Sequence, residues 1–278
     1  MPLLQVLQLG TLDYATGLKL QETLVELRKQ GRIADTLLLL EHTPVITLGR
    51  NANVKNIVDS PESLAERGVE VFEIKRGGDV TFHGPGQLVG YPICDLRGFT
   101  PKVGAIEFVR RLEEVIIRAC AEFGIDAQRM PGLTGVWTNP EHGDAGKIAA
   151  IGVHISRGIT SHGFALNVTT DLDYFKMIVP CGIADKPVTS MEQEWGGVEN
   201  KTLGKKLEME AVSHAITRQF GQVFGTQILW LESLESLLKS APAESEATNQ
   251  DTPLREPDEL KKMREEFDQS PRDDIHWA

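Results

Sequence analysis

Residues 76–93 read RGGDVTFHGPGQLVGYPI, with five glycines and two prolines in eighteen positions. That density excludes a regular helix. Gly77, Gly78, Gly84, Gly86 and Gly90 permit backbone geometries and close approaches that are closed to other residues. Strand-like sequence brackets the run: VEVFEIK at 69–75 precedes it, and LVGYPI at its end returns to an extended pattern. Read locally, the segment is a tight loop between two core strands. It excludes an all-helical chain and places the most permissive backbone inside a sheet.

The flanking sequence supplies both periodicities. A helix is expected over 14–30, capped by Asp13 and closed by Gly31. DTLLLLEH at 35–42 reads as a buried strand and PVITLG at 44–49 as a short one. Ser60-Pro61 starts a short helix to Glu66, with a stop at Gly68. Val109, Leu112, Ile116, Cys120 and Phe123 recur at helical spacing within 102–123. GVWTNPE at 135–141 is a strand and turn, followed by a hairpin-like EHGDAG connection. KIAAIGVHISRG at 147–158 and HGFALNVTTD at 162–171 pair through a Gly/Ser/Thr turn. Further helices are expected at 201–220 and 229–240, and a short exposed one at 258–267. Helices interspersed with strands make the class α+β.

The chain has 278 residues, and none of its apolar runs reaches eighteen residues, so no membrane span is expected. Its start lacks a basic segment before the short apolar run, so no signal peptide is expected. The net charge is -11, and residues 241–278, with 11 acidic and 5 basic side chains, carry -6 of it. The modestly acidic body disfavours nucleic acid, whose binding rests on neutralising phosphates. APAESEATNQDTP at 241–253 has a disordered composition. Three cysteines without a CxxC pair exclude a disulfide framework and point to a reducing, cytoplasmic setting.

Cys120 lies on an apolar helix face and Cys94 beside a strand, so both read as structural. Cys181 stands between proline and glycine in MIVPCGIADKPVTS, where a sulfur at the edge of a core can attack a carbonyl. Lys147 opens the KIAAIGVHI strand. It is a solvated edge residue unless it approaches Cys181, where an ammonium would stabilise the thiolate or a neutral amine would take its proton. His154 and His162 flank the hairpin turn and can face each other, but their spacing matches no compact metal motif. No metal site is expected. His83 is the best histidine for a site, and Arg76 beside two glycines is a candidate anion holder. GxxxxGK[ST] is absent, and RGGDVTFHG is not a dinucleotide fingerprint.

These pieces combine. LEHTPVITLGR at 40–50, RGGDVTFHGPGQLVGYP at 76–92, GLTGVW at 132–137, KIAAIGVHISRGITSHGFALNV at 147–168 and PCGI at 180–183 occur together and in order. Over roughly residues 5–225 the chain resembles the LipB-type octanoyl-[acyl-carrier-protein]:protein N-octanoyltransferase family and, more distantly, the fold of lipoate- and biotin-protein ligases. The resemblance implies an α+β domain with a large mixed sheet, a smaller sheet and surrounding helices. The catalytic domain would span 1–232, and 233–278 would be an acidic, flexible extension.

The implied activity is transfer of octanoyl from acyl-carrier protein to a lysine of lipoyl domains, in 2-oxoacid dehydrogenase E2 subunits and the glycine cleavage H protein. The resemblance makes Cys181 the nucleophile and Lys147 its partner. It places substrate-binding loops at Arg76, Gly77, Gly78, Asp79, Val80, Thr81, Phe82 and His83, at Ala150, Ile151 and Gly152, and at Gly163, Phe164 and Ala165. Small size at Gly77, Gly78 and Gly163 would let substrate pass closely. Backbone N–H groups in these loops or near Cys181 would stabilise the oxyanion. No cofactor is implied, because the donor is already a thioester. The rival readings are an ATP-dependent lipoate- or biotin-protein ligase, which would not need Cys181, and a noncatalytic carrier- or lipoyl-domain binder.

Overall fold

The computed structural model describes residues 2–138, 145–182, 186–195 and 207–239, without the side chains of 181, 238 and 239. The strands are β1 (Leu3–Leu12), β2 (Asp35–His42), β3 (Val45–Leu48), β4 (Glu70–Glu73), β5 (Val80–His83) and β6 (Gln87–Ile93). They continue as β7 (Ala127–Met130), β8 (Leu133–Thr138), β9 (Gly146–Ser156), β10 (Ile159–Asn167) and β11 (Gln227–Trp230). The helices are α1 (Tyr14–Lys29), α2 (Pro61–Glu66), α3 (Ala105–Glu122), α4 (Met191–Trp195), α5 (Met209–Phe224) and α6 (Leu234–Lys239).

Among the described residues the strands form two sheets. The larger has eight strands in the order β11-β1-β2-β6-β10-β9-β8-β7, and the smaller is β4-β3-β5. β1 runs parallel to both β2 and β11, while the pairs from β2 to β7 are antiparallel. The class is α+β with a large mixed sheet, a small sheet and helices.

The LLLL run explains how the large sheet is covered. Side chains alternate across a strand. Leu37 and Leu39 join the core under α3 and α5, and Leu38 and Leu40 join the core under α1. A third core, including Ile46, Val80, Phe82 and Phe175, underlies the small sheet. The capping signals are realised: Asp13 accepts the Thr16 N–H at 2.8 Å, Ser60 caps α2, and Gly31 and Gly68 adopt positive φ.

Several elements differ from the sequence-based expectation. β1 and β7 fall outside the expected elements. The 229–240 segment is not one helix: its start belongs to β11, paired residue by residue with Leu3–Val6, and α6 begins only at Leu234. That pairing joins the two ends of the fold, and no local periodicity announces it. Leu237 is fully buried against the α1 core. α5 begins at Met209; residues 201–206 of the expected 201–220 helix lie outside the described residues. So do EHGD at 141–144 and the segments at 241–253 and 258–267. The β9–β10 turn falls on Arg157 and Gly158, with φ 52° and 86°, and the Ser/Thr residues belong to β10.

Candidate active site

The glycine-rich loop joins the two sheets. Arg76 Nη2 donates to the carbonyl and Oγ1 of Thr47 on β3, at 2.7 and 2.8 Å, and Nη1 donates to the Gly77 carbonyl. The Gly77 N–H donates to the Val153 carbonyl on β9 at 3.2 Å. A Cβ on Gly152 would lie 2.7 Å from the Gly77 carbonyl oxygen, so this approach requires glycine. Arg76 is buried, lines the cleft beneath the loop, and ties the loop to the sheet through these hydrogen bonds.

Beneath this loop lies a cleft walled by Arg76–Asp79, Thr81 and His83, by Ala150–Gly152 of β9, by His162–Ala165 of β10, and by Tyr14, Val89 and Tyr91. The three expected loops therefore meet at one cleft. Two residues depart from the set. Strand alternation on β5 sends Thr81 and His83 to the cleft, while Val80 and Phe82 enter the small-sheet core, where Phe82 stacks on Tyr174 at 4.7 Å. Gly163 lines the cleft, but its smallness serves the sheet: a Cβ would overlap the Gly90 carbonyl oxygen on β6.

One wall is polar yet uncharged. Burial lowers His83 to about 3 and His42 and His162 to about 4, with Arg76 adding repulsion at His83 and His162. Burial likewise pushes the Tyr14 and Tyr91 hydroxyls up. At neutral pH Tyr14, His83, Tyr91 and His162 on the wall, and His42 bonded to Tyr91 behind it, are uncharged, which suits an apolar chain. The hydrogen bonds also fix which nitrogens carry protons. His42 Nδ1–H donates to the Leu12 carbonyl at 2.9 Å, so its Nε2 accepts the Tyr91 O–H at 2.6 Å. Asn167 Nδ2 donates to the Thr189 carbonyl, so its Oδ1 faces Gln87 Nε2 at 2.9 Å. Gln87 Oε1 is thereby left to accept from His83 Nδ1–H at 2.7 Å. His83 presents the lone pair of Nε2, 3.5 Å from Thr47 Oγ1.

Lys147 is 8% exposed, which excludes a solvated strand-start residue. Its N–H donates to the Pro187 carbonyl at 2.8 Å and its carbonyl accepts the Thr189 N–H. It faces a second cavity with Gln87, Asn167, Phe175, Pro180 and Val188, and this cavity shares Thr81, Ala150 and Ala165 with the cleft. Pro180 opens the 3-10 turn Pro180–Gly182, which contains Cys181. The Cys181 side chain, and with it the expected Lys147 contact, lies outside the described residues. The Gly77 and Gly182 N–H groups are both engaged, by the Val153 and Val179 carbonyls, and so are not open oxyanion donors.

Cys94 and Cys120 are buried, and burial pushes the first thiol well up and the second to about 12. Their structural reading fits that burial. His154 pairs in register with Ser161, and His162 with Val153, so the two histidines do not face each other. Among the described residues no cluster of His, Cys, Asp or Glu is arranged to hold a metal ion.

Sequence reasoning missed Tyr14, His42, Tyr91, Gln87 and Asn167. An asparagine within the apolar run ALNV was the one readable signal, since a buried amide in a strand requires partners.

The model of the lipoyl protein ligase A/B catalytic domain matches residues 13–221. The chain is 61% identical over 274 residues to an octanoyltransferase of Koribacter versatilis, covering 99% of both chains. It is 60% identical over 241 residues to an octanoyltransferase of Acidobacterium capsulatum, covering 84% of this chain and 96% of the relative. Among solved structures, a bipartite lipoate protein ligase from Thermoplasma acidophilum, studied with its E2 lipoyl domain, superposes with a TM-score of 0.65. That match has 17% identity and covers 97% of this chain and 93% of the other. A lipoate-protein ligase A bound with ATP gives 0.64 at 16% identity, covering 97% and 95%. The ligase likenesses establish the fold, and the sequence relatives narrow it: the chain belongs to the octanoyltransferases, within the family that carries the lipoyl protein ligase A/B catalytic domain.

Proposed function

We propose that this chain transfers octanoyl through a thioester on Cys181. The observation that carries the reading is the continuity of the two cavities. The cleft under the glycine-rich loop shares a wall with the chamber holding Lys147, and Pro180 of the cysteine turn lines that chamber.

The Cys181 thiolate attacks the carbonyl of octanoyl-acyl-carrier protein, and the carrier thiolate leaves and takes up a proton. Lys147 assists by holding the thiolate or receiving the thiol proton. A neutral lysine amine of a lipoyl domain then attacks the acyl-enzyme. The C–S bond breaks, Cys181 is regenerated, and the amide forms with loss of one amine proton. Acceptors are lipoyl domains of 2-oxoacid dehydrogenase E2 subunits and the glycine cleavage H protein. The donor thioester supplies the activation, so neither ATP nor a metal takes part. Among the described residues no helix is long and apolar enough to cross a membrane.

Mixing the protein with octanoyl-acyl-carrier protein, without acceptor, tests the reading. Intact mass and peptide mapping should find octanoyl on Cys181, and Cys181→Ser should abolish turnover. An adduct confined to Cys94 or Cys120 would refute it. Strict dependence on ATP would favour a ligase.

A further inference from the structure

Asp79 lines the cleft, but its carboxylate is committed to protein donors. Oδ1 accepts the Asn53 N–H at 2.9 Å and the Val80 N–H at 2.8 Å, and Oδ2 accepts from Asn56 Nδ2 at 2.6 Å. Asn56 continues the connection toward the cysteine. Its carbonyl accepts the Val179 N–H at 2.7 Å, and the Val179 carbonyl accepts the Gly182 N–H at 3.1 Å. Gly182 has φ +69°, and a Cβ there would lie 2.8 Å from Asp79 Oδ2 and 3.4 Å from Asn56 Nδ2. The carboxylate and amide thus sit against the residue that follows Cys181, at a spacing that only glycine allows.

We infer that Asn56 and Asp79 are positioning residues for Cys181. The inference rests on Cys181 being the acyl carrier. The pair ties the nucleophile's turn to the loop that walls the acyl cleft, so that sulfur and thioester carbonyl meet in register. Charge-assisted bonds of this length are strong and directional, and a displacement of about 1 Å at a reacting atom costs about a hundredfold in rate. Asp79, expected from the family resemblance to bind substrate, here holds the frame around it. Asn56 lies outside the cleft wall and touches the chemistry only through this link.

The bond has a polarity, and reversing it is the test. Asn56→Asp sets two carboxylates face to face. Adding Asp79→Asn restores a donor opposite an acceptor, and the amide oxygen it introduces still accepts from both backbone N–H groups. Single-turnover formation of the Cys181 adduct from octanoyl-acyl-carrier protein is measured at varied donor concentration, with thermal unfolding as a check of fold. For Asn56→Asp the saturating rate should fall about thirtyfold or more, with half-saturation changed by less than about threefold. The double variant should recover to within about fivefold of the unaltered protein. Should Asn56→Asp fail to fold, Asn56→Ala, which leaves Asp79 its backbone donors, should show the same loss in saturating rate. A rate near that of the unaltered protein in a folded Asn56 variant, or no recovery in the double, overturns the inference while leaving the acyl-enzyme intact. Absence of the adduct in the unaltered protein overturns both.

Discussion

The amine of Lys147 stands 5.2 Å from the centre of the Trp137 ring, and the two residues face each other in register across β8 and β9. An ammonium is attracted to an indole face, and the register sets the two side chains' backbone attachments opposite each other. Lys147→Ala should keep the fold and lower both Cys181 acylation and overall transfer by about a hundredfold or more. Lys147→Arg keeps the cation but cannot accept a proton. Recovery below about a tenth of the original rate would mark proton transfer as Lys147's main task, and fuller recovery would mark charge stabilisation. Near-normal single-turnover acylation in Lys147→Ala would defeat the dyad.

Three buried neutral histidines make folding sensitive to acid. His42, His83 and His162 resist protonation until about pH 3 to 4 in the folded chain, whereas unfolded histidine titrates near 6.5. Above that value they contribute no pH dependence. As pH falls below it the unfolded chain takes up protons that the folded chain refuses, so stability falls. The slope is at most about 1.4 kcal/mol per pH unit for each histidine, and it ends once the folded rings titrate. Urea midpoints should drop steadily from pH 7 to pH 5, and His83→Gln should reduce the slope. A flat profile would show that these rings take up protons in the folded protein as readily as in the unfolded chain.

Two glycines of the cleft separate packing from passage. Gly163→Ala drives a methyl into the Gly90 carbonyl oxygen and should destabilise by about 2–4 kcal/mol. Gly77 has nothing nearer than 3.5 Å to an added Cβ. Gly77→Ala should therefore stay within about 0.5 kcal/mol of the parent, and any loss should appear as a higher KM for octanoyl-acyl-carrier protein. Thermal unfolding beside steady-state kinetics distinguishes the two, and equal destabilisation would contradict the packing argument.

The acidic end of the chain should be dispensable for transfer to free lipoyl domain, but the cut must respect α6. A chain ending at residue 239 should keep its unfolding temperature and most of its kcat. One ending at 232 loses the fully buried Leu237 and should be less stable by about 2 kcal/mol. A hundredfold loss of kcat in the folded 239-residue chain would place part of the tail in the site.

What was legible in the sequence follows the range of the interactions. α1 and α2 carry their capping residues, Asp13 and Ser60, α1 and α3 carry their apolar spacing, and β2 declares its two buried faces through four consecutive leucines. β1 and β11 depend on each other from opposite ends of the chain, and LWLESLESLLKS satisfies helical spacing well enough to hide the strand at its start. The site divides the same way. The glycine loops that meet at the cleft were readable as a linear pattern shared with a family, as were Lys147 beside its chamber and Cys181, whose proposed role rests on that pattern. The amides of Asn56, Gln87 and Asn167 acquire meaning only through partners brought close by folding, and Val80 and Phe82 could be told from Thr81 and His83 only by knowing which face of β5 meets the cleft.

Lys147 and Ala150–Gly152 lie on one strand but are held by different neighbours. β9 pairs with β8 from Gly146 to Ala149, with a shift of register between Val136 and Trp137, and with β10 from Ala149 to Ser156. The lysine is thus set by β8 and by a bridge to Val188, the cleft wall is set by β10, and Ala149 is paired to both strands. In the proposed transfer, a substitution that shifts the β8 ladder would move the amine while leaving the cleft wall in place.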